Sequence, residues 1–233
     1  MLIAIFLIGI AGMLSAQKIA IIDAGSSGSE LYVYEWNKDN KQLIVLYSGS
    51  GKKDDTEGKI LAKVDNTDAA ARAYLANLTK EYSNEVGDSI PLYVLATAGM
   101  RGEADNPIYH TIKSVLEING YKIEEAMTIS GKYEGFCALL AANLENEIIK
   151  IDDSGTKLVP QDPGNPIYGI LEIGGASMQI AFIKEGDNDI VNCIYRDGLG
   201  NIYSKSYLGC GVNSVYDKYI NETEPYDFTT LNM

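Results

Sequence analysis

Asp23-Ala24-Gly25-Ser26-Ser27-Gly28-Ser29 ends an apolar run on an acid and then turns through small residues. Glycine admits positive φ, so successive N–H groups of such a turn can converge on one anion. Serine hydroxyls can donate to the same oxygens. The acid at the strand end suits a metal ion or its bound water. About 150 residues later the logic recurs in Glu172-Ile173-Gly174-Gly175-Ala176-Ser177-Met178-Gln179. One such turn is equally an ordinary hairpin. Two of them, each after an apolar strand ending in an acid, read as a clamp for a phosphate chain. Neither is a P-loop, because no Gly-x-x-x-x-Gly-Lys occurs.

Two more segments carry groups suited to phosphate chemistry. Ser130-Gly131-Lys132-Tyr133-Glu134-Gly135-Phe136 opens a helical run. An acid near a helix N-terminus is favoured by the dipole and is ordinarily solvated. Facing a cleft, Glu134 would accept a proton from a water attacking phosphorus. In Ala96-Thr97-Ala98-Gly99-Met100-Arg101, Thr97 suits a metal-bound water. Arg101 suits either a phosphate or a carboxylate partner. The single histidine, His110, falls in a helical stretch apart from these segments, which disfavours histidine-based phosphotransfer.

The elements that must position these groups follow from periodicity. Strands are predicted at Lys18–Asp23, Glu30–Trp36, Leu43–Ser48, Pro91–Ala96, a strand ending at Met127–Ser130, then Ile167–Ile173, Met178–Lys184 and Ile190–Tyr195. Helices are predicted at Thr67–Glu85, Ile108–Ile118, Tyr133–Ile149 and Gly209–Ile220. The Pro/Gly-rich stretch Ile151–Pro166 reads as a loop. No repeat is evident in the sequence itself. Strands and helices alternate in two rounds, each opening strand, Gly-rich turn, strand. That is an α/β chain of two lobes facing one another across a cleft.

The chain has 233 residues, with 32 acidic against 19 basic and a formal charge of −13. This field disfavours non-specific nucleic-acid binding. It also repels an anionic ligand, so a phosphate site must be made locally positive by backbone N–H groups and a divalent cation. Residues 1–16 read as a signal peptide cleaved near Ala16, an apolar run too short to span a bilayer comfortably. The mature protein is then expected outside the cytoplasm: secreted, periplasmic or in the secretory pathway, with no stable membrane span. Cys193 and Cys210 flank a loop and are able to pair in an oxidising compartment. Cys137 lies in an apolar helical run and is expected to be a buried thiol. Asn77-Leu-Thr79 and Asn221-Glu-Thr223 fit the glycosylation pattern.

The four segments, in this order, resemble the apyrase family, the nucleoside triphosphate diphosphohydrolases. The likeness continues into Tyr203-Ser204-Lys205-Ser206-Tyr207-Leu208-Gly209 and spans roughly Lys18 to Asn213. It implies an actin-like fold of two ribonuclease-H-like lobes, the first over 17–129 and the second over 130–233. It implies hydrolysis of nucleoside tri- and diphosphates with Mg2+ or Ca2+. By position, Glu134 matches the general base, and Ser177 and Gln179 match residues that hold the attacking water. Ser26, Ser27 and Gly28, with Gly174, Gly175 and Ala176 opposite, match the phosphate-binding loops. Asp23, Thr97 and Glu172 match positions that orient water around the cation.

The chain also departs from the family pattern. Glu172 stands where Asp is usual, Met178 where Thr is usual, and Tyr133 where Glu is usual. Cys137-Ala138-Leu139 replaces an aromatic, Gly and Trp, which implies altered helix packing. Family members continue well beyond the position of Met233, so the resemblance implies an incomplete second lobe without its base pocket. Two alternatives accompany this reading. One is an exopolyphosphatase-like or kinase-like member of the same superfamily. The other is a truncated, non-catalytic nucleotide-binding protein.

Overall fold

The computed structural model describes residues 18–37, 42–50, 60–79, 90–101, 106–118, 122–151, 158–162, 164, 166–184 and 202–221. The expected signal peptide, the Ile190–Tyr195 strand, the end of the first predicted helix, Thr223 and Cys193 lie outside them.

The first half builds a five-stranded sheet in the order β3-β2-β1-β4-β5. Its strands are β1 (Lys18–Ala24), β2 (Ser29–Asn37), β3 (Gln42–Ser50), β4 (Pro91–Ala96) and β5 (Lys122–Thr128). β1 pairs antiparallel with β2 and parallel with β4. As the central strand it needs apolar residues on both faces, which the run Ile19-Ala-Ile-Ile22 supplies. Ala20 and Ile22 join Leu31, Val33, Leu92 and Val94 beneath two helices, α1 (Asp68–Thr79) and α2 (Pro107–Ile118). α1 contributes Ala71, Tyr74, Leu75 and Leu78, one face at helical spacing. Ile19 and Ile21 point the other way, to Tyr34, Tyr93, Leu95 and Ile129. His110 is on the exposed side of α2.

The second half begins with α3 (Gly131–Glu145) and builds a three-stranded antiparallel sheet, β10-β9-β8. Its strands are β8 (Ile170–Ile173), β9 (Ser177–Ile183) and β10 (Ile202–Leu208). α3 packs on one face through Phe136, Leu139 and Leu140, against Ala181 and Ile202. Six consecutive residues, Phe136–Ala141, are buried, and Cys137 among them is the expected buried thiol. The opposite face leaves Leu171, Ile173 and Phe182 exposed. A final helix, α4 (Val212–Asn221), follows β10.

Several predicted boundaries move. α3 stops at Glu145 rather than Ile149, because Glu147 turns with a positive φ of 57°. Ile149 instead opens a short strand, β6 (Ile149–Ile151), paired with β7 (Leu158–Pro160) inside the stretch expected to be a loop. β8 begins at Ile170 rather than Ile167. The residues before it are held by α3: Asn143 Nδ2 donates to the Tyr168 carbonyl at 2.9 Å, and Tyr168 N donates to Asn143 Oδ1 at 2.8 Å. β10 was not predicted as a strand. Its Ile/Ser and Tyr/Lys alternation is the period-2 signal that would have found it.

Asn143 is fully buried, and its Nδ2 also donates to the Leu139 carbonyl at 2.8 Å. Asn143→Ala removes all three of these bonds from a fully buried side chain. Urea unfolding should show a loss of about 1–3 kcal/mol, since each hydrogen bond contributes ~0.5–1.5 kcal/mol net.

Candidate active site

The two Gly-rich turns occupy equivalent places. Each closes an antiparallel hairpin, β1–β2 or β8–β9, and each follows an acid at or near the end of the first strand. Asp23 and Glu172 therefore arrive at the same cleft from opposite sheets. The cleft encloses about 400 Å³. Asp23, Ser26, Ser27, Gly28, Thr97, Glu134, Glu172, Gly174, Gly175, Ala176 and Ser177 all line it. Gln179 and Arg101 are the predicted site residues outside the lining. Gln179 lies a layer behind, 1% exposed.

The second loop is shaped from behind. Gly209 N, with φ +81°, donates to the Ala176 carbonyl at 2.8 Å. Val212 N donates to the Gly174 carbonyl, and Asn213 N and Ser214 N to that of Gly175. These are first-turn N–H groups of α4 that have no partner within their own helix. Because a trans peptide points its C=O and N–H in opposite directions, two carbonyls turned to α4 and one to Gly209 leave the N–H groups of Gly175, Ala176 and Ser177 turned away from that backing segment. The first loop is braced by the Thr97 turn. Thr97 N donates to the Ala24 carbonyl at 3.2 Å, and a Cβ on Gly99 would lie 3.1 Å from Ser26 Cα. The loops also meet across the cleft: Asn213 Nδ2 donates to Ser27 Oγ at 2.9 Å. Sequence reasoning missed Asn213 and the backing segment 209–214. Their visible signal was a second glycine pair, Gly209 and Gly211, after an aromatic strand.

Glu134 is placed by the start of α3. Ser130 caps the helix, its Oγ accepting from Tyr133 N at 3.3 Å. That puts Glu134 in the first turn. A Cβ on Gly135 would fall 2.6 Å from Ser204 Oγ, so glycine there lets the helix settle on β10. Gln179 Nε2 donates to Glu134 Oε2 at 2.8 Å and to Ser177 Oγ at 2.6 Å. Of the two roles open to Arg101, the structure takes the second: its guanidinium pairs with Glu134 and bonds to Ser206 Oγ at 2.9 Å. Ser206, opposite Gln179 on β10, also went unrecognised as a site residue.

The cleft's electrostatics are unusual for a phosphate site. Four carboxylates, Asp23, Glu30, Glu134 and Glu172, line it, with no Lys, Arg or His among its described lining residues. Burial pushes Asp23 up to about 6, and Glu30 beside it adds to the rise. Burial also raises Glu172, Asp23 adds to that rise, and Arg101 opposes it. Glu172 Oε2 is buried with no hydrogen-bond partner. Two half-buried carboxylates, one with an orphaned oxygen, suit a divalent cation, whose charge would also offset the repulsion of an incoming polyphosphate.

Among the described residues no helix is long and apolar enough to cross a membrane. In solved structures, the fold matches nucleoside triphosphate hydrolases from Neospora caninum with a TM-score of 0.54 and 19% identity, over 84% of this chain and 45% of that one. The likeness shows the shared actin-like fold. In sequence, the chain is 29% identical to nucleoside-diphosphatase mig-23 of Caenorhabditis elegans, over 85% of this chain and 41% of that protein. It is 28% identical to ectonucleoside triphosphate diphosphohydrolase 2 of Mus musculus, over 86% of this chain and 43% of that one. A Golgi apyrase of Schizosaccharomyces pombe is 26% identical over 85% of this chain and 39% of its own length. The chain thus spans about two fifths of the length of these relatives. The model of the GDA1/CD39 (nucleoside phosphatase) family matches residues 15–225. With paired loops, cleft acids and nearly the whole length accounted for, the chain belongs to the GDA1/CD39 family.

Proposed function

We propose that this chain carries the catalytic centre of a nucleoside tri- and diphosphate hydrolase, working by direct attack of water. The observation that carries the reading is the pair of backbone-lined turns facing each other across one cleft, with Glu134 in its wall. Phosphoryl transfer demands positioning and charge neutralisation more than covalent help. The Ser26–Gly28 and Gly174–Ser177 turns would grip neighbouring phosphates through N–H and hydroxyl donors. Ser177 Oγ already accepts from Gln179, so its own proton is available to the cleft. Glu134 would take the proton of a water placed in line with the terminal phosphorus. Asp23, Thr97 and Glu172 would hold Mg2+ or Ca2+ through water. The cation would supply charge neutralisation on the phosphates.

The family relationship and the relatives' names support nucleotides as the substrate class. Names such as ectonucleoside triphosphate diphosphohydrolase and Golgi apyrase support a lumenal or extracellular location. Residues 17–129 and 130–233 would form the two lobes.

The test is phosphate release with ADP, ATP, AMP and long-chain polyphosphate, each with Mg2+ or Ca2+. The expected result is release from ATP and ADP, with AMP left intact. Preferred cleavage of polyphosphate would favour the exopolyphosphatase-like alternative. Release that depends on an acceptor hydroxyl would favour the kinase-like one. Tight nucleotide binding without release over hours would favour a non-catalytic binder.

Cation binding has its own signature. Asp23 is raised from 3.8 to about 6 in the folded protein. The folded state therefore holds this proton more tightly than the unfolded chain, and the stability so gained is lost as pH rises through about 6. A cation competes for the deprotonated carboxylates. Millimolar Mg2+ or Ca2+ should raise Tm by several degrees at pH 7.5 and by little at pH 5. Equal shifts at both pH values would count against this site.

A further inference from the structure

Arg101 belongs to the first half of the chain, yet its guanidinium ends in the second. Nη2 pairs with Glu134 Oε2 on α3, and Nη1 donates to Ser206 Oγ on β10 at 2.9 Å, with Ser177 Oγ at 3.4 Å. The passage exists because residue 131 is glycine. A Cβ there would lie 2.3 Å from Ser206 Cβ and 2.8 Å from Arg101 Nη1. The arrangement is not one that stability alone would select. Arg101 Nε is buried without a hydrogen-bond partner, and desolvating an ion pair rarely repays itself. Nor does Arg101 line the cleft, and both its terminal nitrogens are committed to protein acceptors.

The arrangement does fix one relationship. Arg101 closes the Thr97 turn, whose Gly99 rests on Ser26 of the first loop. With Gln179 it places two donors on the same oxygen of Glu134, Oε2. That sets the carboxylate plane and leaves Oε1 for the cleft. We infer that Arg101 is a positioning residue that holds the Glu134 carboxylate in register with the first phosphate loop, across the junction of the two halves. This rests on the reading of Glu134 as the base. A lysine cannot replace it, because one ammonium does not span Glu134 and Ser206 as a planar fork does.

The experiment uses the full chain with ADP and Mg2+. Arg101→Lys and Arg101→Ala should each lower kcat by about 100-fold, the scale of a misplaced catalytic group, with KM within about threefold of wild type. Millimolar methylguanidine should restore at least about tenfold to Arg101→Ala and nothing to Arg101→Lys. Wild-type kcat in Arg101→Lys, or a loss carried wholly by KM, would overturn the inference. A second measurement needs no turnover: the Arg101 guanidinium nitrogens observed by NMR in 15N-arginine-labelled protein. Resolved, slowly rotating Nη signals in the wild type should collapse to an average in Glu134→Ala, and Ser206→Ala should perturb them. Unchanged signals in both variants would overturn the inference. If the wild type releases no phosphate but the signals collapse, the clasp stands and the hydrolase reading fails.

Discussion

Glu134→Gln is expected to lower kcat for phosphate release from ADP by about 10²–10⁴-fold, the usual contribution of a positioned general base. KM should move by less than about threefold, because the lost interaction belongs to the transition state. The substitution is clean for a structural reason. Glu134 Oε2 accepts from Arg101 and Gln179. A glutamine can turn its carbonyl oxygen to those same donors and its NH2 to the cleft. The pocket then stays filled and the α3 cap at Ser130 is untouched. The ability to take a proton is gone, and with it the negative charge that pairs with the Arg101 guanidinium. Tm should fall, because Arg101 keeps its charge and loses its counter-ion, while the variant stays folded in the same preparation. Undiminished phosphate release from the variant would sink the assignment of the base, whatever became of nucleotide binding.

Gly211→Ala should be nearly as damaging by another route. A Cβ at this position would sit 2.4 Å from Ala176 N, Gly175 C and Gly175 O. All three atoms are backbone of the second Gly-rich loop, so no side-chain rotation relieves the clash. Either the loop or the start of α4 must move. The carbonyl bonds that turn the loop's N–H groups away from the backing segment would go with it. A displacement of about 1 Å in a positioning element can cost about 100-fold in rate. The expected result is a loss of at least that size in kcat/KM, with ADP affinity by calorimetry also reduced. Overpacking should cost a further ~1–3 kcal/mol in stability. Gly164→Ala is the control. Its nearest neighbour would be a side-chain atom, Asp162 Oδ1, at an ordinary 3.4 Å, and it should behave as wild type. Retained affinity and rate in Gly211→Ala would mean that the loop is shaped by something other than α4.

Elements with strong local signals were predicted at nearly their observed places. β1, β4 and α3 are dense in apolar residues, and their unbroken apolar runs mark them. Weaker elements were lost where tertiary bonds outvoted pattern. Ile167–Tyr168 looks like strand, but Asn143 takes both backbone groups of Tyr168 before the ladder begins. Ile149 looks like the last turn of a helix, but a positive φ at Glu147 sends it into β6. β6 and β7 are only three residues each, too short for period-2 alternation to stand out.

Two Gly/Ser turns after acid-tipped strands were enough, from residue order alone, to indicate a pair of loops facing one cleft. With the Thr97 and Glu134 segments they indicated the family as well. These signals are local: glycine is required where backbone must turn or approach, and an acid at a strand end has one place to point. Which groups touch was settled only by folding. Arg101 had two plausible partners, and the sequence carried no distance between residues 101 and 134. The packing of α3 onto β10, past Gly131 and Gly135, brings them together. Gln179, read as a water holder in the cleft, lies one layer back, its amide given to Glu134 and Ser177. The donors of the second loop were implied by its glycines. Their direction was decided by α4, about 35 residues further on, whose unpaired N–H groups bind the loop's carbonyls from behind.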